Sequence, residues 1–272
     1  MATVGTVSEQ IEVEQIRVGV NGAGGRMGTE VCGAVAADPD LSLVAAVYPM
    51  HAGLDRCGVT IAPELRAFAD AGCEVVVDFT VAASARVALP WLAMHGIHAV
   101  VGTTGLSDAD LDEVRAAFGD GPAHCLIAPN FAISAVLMMR FAEVAAPFFD
   151  TVEIIEYHHD RKVDAPSGTA IATAERMAAA RGDRAWRPDP TEHEVYPGAR
   201  GGLGPSGIRV HGVRMHGMVA HQDVLLGAQG QSLTIRQDSY DRTSFMPGVL
   251  LGCKRIADHP GVTVGLDAYL AI

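Results

Sequence analysis

The chain has 272 residues, of which 49% are hydrophobic and 19% charged, and its formal net charge is -12 at pH 7. That size suits one large or two modest globular domains rather than a disordered segment. The acidic balance excludes a bulk nucleic-acid binder and requires any anionic substrate to meet a local basic pocket.

In chain order, "IRVGV" at 16–20 predicts a buried strand, followed by the glycine turn "NGAGGRMG" and a helix over 29–37. "LSLVAAV" (41–47) and "CEVVVDFT" (73–80) predict two more strands. A helix through "SARVALPWLAMHG" follows, with Pro90 expected near a bend or an early turn, and then a fourth strand, "IHAVVGTTG". Ser107 is the expected N-cap of the helix "DADLDEVRAAF", whose first turn is acidic. "HCLIAPNFA" (124–132) predicts a fifth strand. Short apolar runs alternating with helices indicate a doubly wound parallel sheet.

After about Asn130 the pattern changes. A helix, "SAVLMMRFAEVAAPFF", leads to a new strand, "VEIIEYHH", and a second helix, "GTAIATAERMAAARG". A Pro/Gly-rich loop then runs to Gly207, within a segment, 181–207, to which no role is assigned. "IRVHGVRMHG", "AHQDVLLGAQG" and "QSLTIRQDS" read as antiparallel strands joined by glycine turns, and "FMPGVLLGCKRIADHPG" as a helix that returns to the first domain. The expected division is a loose tail at 1–15, a dinucleotide-binding domain at 16–130, a substrate-binding and oligomerisation domain at 131–242, and the returning segment at 243–272. The N-terminus has no basic n-region, no apolar run approaches the roughly 18 residues of a membrane span, and a cytoplasmic location is expected. The five cysteines are scattered with no CxxC pair, so neither a disulfide framework nor a metal site is expected.

The glycine motif Gly22-x-Gly24-x-x-Met27, with Gly25 extra and Gly28 one residue late, follows the first strand and opens a helix. Small residues let the backbone approach a pyrophosphate, and the helix start offers free N–H groups. An ordinary tight turn is the plainer alternative. The acidic residue expected about 20 residues on, to hold the ribose, is absent: "LVAAV" runs into Tyr48. Tyr48 can flank the adenosine, and Arg26, His51 or Arg56 can reach a 2′-phosphate; alternatively, Tyr48 covers a sheet edge. Gly102, Thr103 and Thr104, and the stretch "APNFA" with Asn130, lie at strand ends where nucleotide ligands bind in open sheets.

The densest chemistry is "EIIEYHHDRKVDAPSGTA" at 153–170. His158 and His159 on one strand point to opposite faces and cannot share a role. Arg161, Lys162 and the histidines supply the local positive charge that the whole chain lacks. Ser167 reads as an N-cap, with Gly168 and Thr169 exposing N–H groups for a carboxylate, and Asp164 serves the dipole or fixes Lys162. The plainer alternative is a capped helix after a solvated loop.

From "IRVGVNGAGGRMG" through "VVDFT", "GIHAVVGTTG", "IAPNFAI" and the 153–170 block to "VAHQDVLLG" and "DRTSFMPGVLLG", the sequence resembles the 4-hydroxy-tetrahydrodipicolinate (dihydrodipicolinate) reductases. The resemblance implies an α/β architecture: a Rossmann-like domain plus an α+β substrate domain with a mixed, largely antiparallel sheet that assembles into a homotetramer. It implies reduction of a cyclic dicarboxylate by NADH and/or NADPH in diaminopimelate and lysine biosynthesis, with neither nucleic acid nor membrane as partner. His158 would be the proton donor, assisted by Lys162. His159, Lys162, Gly168 and Thr169 would hold the substrate carboxylates. The implied cofactor contacts are Gly22, Ala23, Gly24, Gly25, Arg26, Met27, Gly102, Thr103, Thr104, Ala128, Pro129, Asn130 and Phe131, with Tyr48 where the family has Glu or Asp. Other readings are a different two-domain NAD(P)-dependent oxidoreductase, a catalytically silent nucleotide sensor, or a structural protein.

Overall fold

The computed structural model describes residues 14–119 and 121–272; the expected tail at 1–15 lies almost wholly outside the described residues. The chain divides into two compact units, one running up to Leu126 and including Gly252–Val262, the other comprising Ile127–Leu251 and Thr263–Ile272.

The first unit contains β1 (Ile16–Asn21), α1 (Arg26–Ala37), β2 (Leu41–Val47), β3 (Asp55–Arg56), β4 (Val59–Ala62), α2 (Arg66–Asp70), β5 (Val75–Asp78), α3 (Ala82–Met94), β6 (His98–Val101) and α4 (Asp108–Phe118). β7 (Cys125–Ile127) spans the division. β1 pairs in parallel with β2 and β5, β5 with β6, and β2 with β4, as the apolar runs require. Val75, Val76 and Val77 are all buried in succession, the mark of a strand covered on both faces. The short antiparallel pair β3–β4 and helix α2 were not expected from sequence; they are too short to leave a periodic signal. Pro90 stands well inside α3, which continues to Met94 without ending at the proline. Ser107 and Asp110 form the capping box of α4, and Arg86 of α3 donates to both oxygens of Asp110 at 2.7 and 3.0 Å.

The second unit holds α5 (Ile133–Ala145), β8 (Thr151–His158), α6 (Gly168–Arg181), β9 (Gly202–Leu203), β10 (Arg209–Arg214), β11 (Ala220–Ala228) and β12 (Gln231–Ser239). α7 (Met246–Arg255) and β13 (Val262–Val264) again span the division, and α8 (Asp267–Leu270) ends the chain. The five-stranded sheet has the order β12-β11-β8-β10-β9. β11 is antiparallel to both β8 and β12, but β10 runs parallel to β8, which corrects the expectation of an antiparallel strand there. The connection from β8 to β10 carries α6, and a helical crossover is what a parallel pair needs.

α5 and α6 pack on this sheet and on each other. The C-terminal end of α6 is anchored by Arg181, which is 7% exposed. Its guanidinium donates to the carbonyls of Arg184 at 2.7 Å, Ala146 at 2.8 Å, Phe149 at 2.6 Å and Ala185 at 2.9 Å. It also lies 3.7 Å over the Trp186 ring. Burial pushes the Arg181 guanidinium below its ordinary pKa, yet these five partners hold it in place. Arg181→Met keeps the aliphatic stem and leaves the carbonyls without their donor. It is expected to lower stability by about 2–4 kcal/mol, read as a lower urea midpoint; an unchanged midpoint contradicts the anchoring role.

Candidate active site

β8 alternates with period two, so Val152, Ile154, Glu156 and His158 share one face. The register extends that face across the sheet. Gly212, Glu156, Gln222 and Gln237 form one cross-strand row, and Arg214, His158, Ala220 and Ser239 the row parallel to it. His158, Gln222 and Gln237 line a cavity together with Asn130 of the loop before α5 and Ser167 and Thr169 at the start of α6.

Glu156 is fully buried. It accepts from both terminal nitrogens of Arg214 at 2.7 and 2.8 Å, from His158 Nδ1 at 2.6 Å and from the Ser167 backbone N–H at 3.2 Å. Gly212 leaves room for this carboxylate, because a Cβ there would stand 3.1 Å from Glu156 Oε1. Burial pushes the Glu156 carboxyl up, but Arg214 and His158 outweigh it and hold it below the usual range. For His158, burial pushes the imidazole below its ordinary pKa, Glu156 opposes that, and Lys162 and Arg214 add to it. With Nδ1 committed to Glu156, Nε2 is the nitrogen left for proton transfer. His221 also belongs to the cavity wall, but it pairs with Tyr157, so its ring lies on the sheet face opposite His158, where Nδ1 meets Asp238 at 2.7 Å and Nε2 accepts from the Val219 N–H at 3.2 Å.

Ser167 caps α6 by accepting from the Ala170 N–H at 3.2 Å, as its position predicts. Asn130 is fixed from two sides: its Oδ1 accepts from the Ala132 N–H at 2.9 Å and its Nδ2 donates to Thr169 at 3.3 Å. Gly168 is the exposed first residue of α6. β8 stops at His158, so His159 lies outside the ladder, and its Nδ1 accepts from the Arg161 N–H at 3.2 Å. Lys162 donates to both oxygens of Asp164 at 2.7 and 2.9 Å, so Asp164 fixes the lysine. Neither His159 nor Lys162 lines the cavity.

The nucleotide candidates fall in both units. Gly22 has φ +88° and passes a carbonyl of Phe79, which a Cβ would meet at 2.6 Å. A Cβ on Gly28 would stand 2.0 Å from the Gly22 oxygen, so the glycine that comes one residue late is needed for the helix to close on the turn. α1 starts at Arg26, earlier than expected, and no side chain caps it. Its first N–H groups are thereby left for an anion, and Arg26 and Met27 lie in its first turn. Tyr48 and His51 meet edge to face at 4.9 Å and close over Gly24, where a Cβ would fall 2.2 Å from Tyr48 and 2.4 Å from His51. The uncapped start of α1 and a turn too tight for any Cβ at Gly22 and Gly28 fit a dinucleotide's pyrophosphate, with the Tyr48 and His51 rings beside it.

Thr103 is buried and donates to Asp78 at 2.6 Å. Asp78 also accepts from Asn21 at 2.7 Å and Thr80 at 2.8 Å, and so ties the ends of β1, β5 and β6 together. Thr104 is exposed, and Gly102 is required because a Cβ would meet the Phe79 ring at 2.1 Å. Ala128 and Phe131 are buried and Pro129 is exposed, so that stretch can offer a ligand backbone groups rather than the two core side chains.

Sequence reading missed Glu156, Arg214, Gln222 and Asp78 as members of these sites. Glu156 was legible as a carboxylate two residues before His158, on the same strand face. Arg214 and Gln222 carry no local signal, because only strand pairing brings them to that face.

A doubly wound nucleotide-binding unit, followed by a unit with a carboxylate-locked histidine in a polar cavity, defines a pyridine-nucleotide-dependent oxidoreductase. The model for the dihydrodipicolinate reductase N-terminus matches residues 16–131, and that for its C-terminus matches 134–270. The chain belongs to the dihydrodipicolinate reductase family. It is 54% identical to the 4-hydroxy-tetrahydrodipicolinate reductase of Nocardia farcinica over 94% of this chain and 98% of that one. It is 50% identical to the enzyme of that name from Corynebacterium urealyticum over 94% and 99%. Among solved structures, the dipicolinate-bound dihydrodipicolinate reductase of Paenisporosarcina sp. TG-14 superposes with a TM-score of 0.84 at 36% identity, covering 93% of this chain and 99% of that one.

Proposed function

We propose that the protein reduces 4-hydroxy-tetrahydrodipicolinate to tetrahydrodipicolinate in diaminopimelate and lysine biosynthesis. The reaction consumes NAD(P)H and one proton and releases water. The observation that carries the reading is His158, held by a buried, arginine-paired carboxylate and lining a cavity with the start of α6. The bound nicotinamide supplies the hydride. The chain's own residues then supply the proton. His158, charged and hydrogen-bonded through Nδ1 to Glu156, donates from Nε2 to the carbanion-like position of the reduced ring. Lys162 polarises the substrate or donates a proton, and the substrate carboxylate competes with Asp164 for it. His159, Lys162, Gly168 and Thr169 hold the carboxylates, with the uncharged N–H groups at the α6 start as the fixed part of the clamp. Backbone and side-chain groups of the glycine turn, of Gly102–Thr104 and of Ala128–Phe131 contact the cofactor, with Asn130 orienting the carboxamide.

The functional boundaries expected from sequence, 16–130, 131–242 and 243–272, belong to this proposal, as does a cytoplasmic location. So does a homotetramer formed through the sheet face that carries Ile155, Tyr157 and Leu225, opposite the face of Glu156 and His158.

Two experiments test the reading. His158→Gln should lower kcat roughly 10²–10⁴-fold with little change in cofactor affinity. Glu156→Gln removes the partner that raises the His158 pKa, against the downward pull of burial, Lys162 and Arg214. The active form is imidazolium, so activity is lost as pH rises through the His158 pKa. In Glu156→Gln that loss should move to lower pH; a near-normal kcat in the first variant or an unmoved profile in the second contradicts the assignment. The cofactor is tested at Tyr48. No carboxylate stands there to repel a 2′-phosphate, so both NADH and NADPH should bind. Tyr48→Asp should weaken NADPH relative to NADH by about tenfold in a fluorescence titration; a wild-type protein that rejects NADPH would contradict this.

A further inference from the structure

Among the described residues of the cavity wall, one side chain carries a buried polar atom that the fold leaves unsatisfied. Gln222 is 2% exposed and lines the cavity, and its Oε1 is buried without a hydrogen-bond partner. The orientation of its amide follows from a chain of bonds. Thr173 Oγ1 donates to the Thr169 carbonyl at 2.7 Å, one helical turn back on α6. Its hydroxyl proton is therefore used, and toward Gln222 it can only accept. Gln222 Nε2 donates to it at 2.9 Å, which leaves Oε1 as the free end of the amide. The neighbouring Gln237 is placed differently, since its Nε2 is taken up by Ser239 at 2.7 Å and Ser134 at 3.3 Å.

A buried acceptor without a partner is costly, so a fold retains one where a ligand or water completes it. We infer that Gln222 Oε1 is a specificity-determining acceptor that reads a hydrogen-bond donor, a ring N–H or a ring hydroxyl, on the bound substrate. An acceptor of this kind cannot serve a carboxylate oxygen. It therefore favours the edge of the ring that carries a donor and disfavours turning the dicarboxylate so that a carboxylate meets it. A site built to bond an N–H or O–H rejects an analogue that lacks it more strongly than an apolar wall can. The inference rests on the proposed reading of the cavity as the site of a cyclic dicarboxylate.

The test is calorimetric titration of the full-length protein, with the cofactor present, using three rings. Piperidine-2,6-dicarboxylate offers an N–H, 4-hydroxyoxane-2,6-dicarboxylate offers only an O–H, and pyridine-2,6-dicarboxylate offers neither. Gln222→Met should weaken binding of at least one donor-bearing ring about tenfold and leave the pyridine ligand unchanged; the ring that weakens identifies the donor read. Thr173→Val unhooks the amide while keeping Gln222, and should weaken the same ring. Equal loss for all three ligands, or no loss for any, overturns the inference. If the wild-type protein bound none of the three, the reading of the cavity itself would fall with it.

Discussion

A single buried carboxylate organises the catalytic half of this protein. Burying Glu156 as an ion is unfavourable by several kcal/mol unless its charge and lone pairs are answered. They are answered by three separate stretches of chain: Arg214 from β10, His158 from its own strand and the backbone N–H of Ser167 at the entrance to α6. Each bond also positions something the site needs. The histidine is turned so that one nitrogen faces the carboxylate and the other is left for chemistry. The first turn of α6 is pinned where Ser167 and Thr169 reach the cavity. Arg214 reaches further, donating to the Asp164 carbonyl at 2.6 Å, so the loop that carries Lys162 is tied to the same centre. Removing the carboxylate would therefore disturb His158, the start of α6 and the lysine loop together.

The nucleotide-binding unit uses a similar device, without a counter-cation among the described residues. Asp78 collects donors from the ends of three parallel strands and so sets the edge where such sheets take their ligands. Thr103 is among the cofactor contacts that the resemblance implies, and its hydroxyl is committed to this knot. That hydroxyl thereby holds the strand ends in register, with Gly102 and Thr104 on either side. Tyr48 stands where the family has Glu or Asp and, with His51, lies against the glycine turn, which therefore meets aromatic and imidazole rings there.

Much of this was legible in the sequence, for identifiable reasons. Consecutive valines in "EVVVDFT" and small residues in "NGAGGRMG" encode a buried parallel strand and a tight strand–helix turn locally, and both appear where expected. The capping serines Ser107 and Ser167 were readable because a cap is a relation between near neighbours. Pairing was not. The parallel course of β10 depends on the crossover through α6, and nothing within "IRVHGVRMHG" distinguishes it from an antiparallel strand. Arg214 and Gln222 stand 58 and 66 residues from Glu156 and meet its strand only through that register. The expectation that His158 and His159 are opposed side chains of one strand did not hold: β8 ends between them, so only His158 belongs to the inner face.

The most direct test of this arrangement is ¹⁵N NMR of the His158 side chain across a pH titration of the intact protein. If Glu156 locks the ring, Nδ1 keeps its proton throughout and Nε2 alone loses its proton as pH rises. If instead the neutral ring carries its proton on Nε2, or if both nitrogens exchange between tautomers, Glu156 does not hold His158 and this account of the proton donor fails.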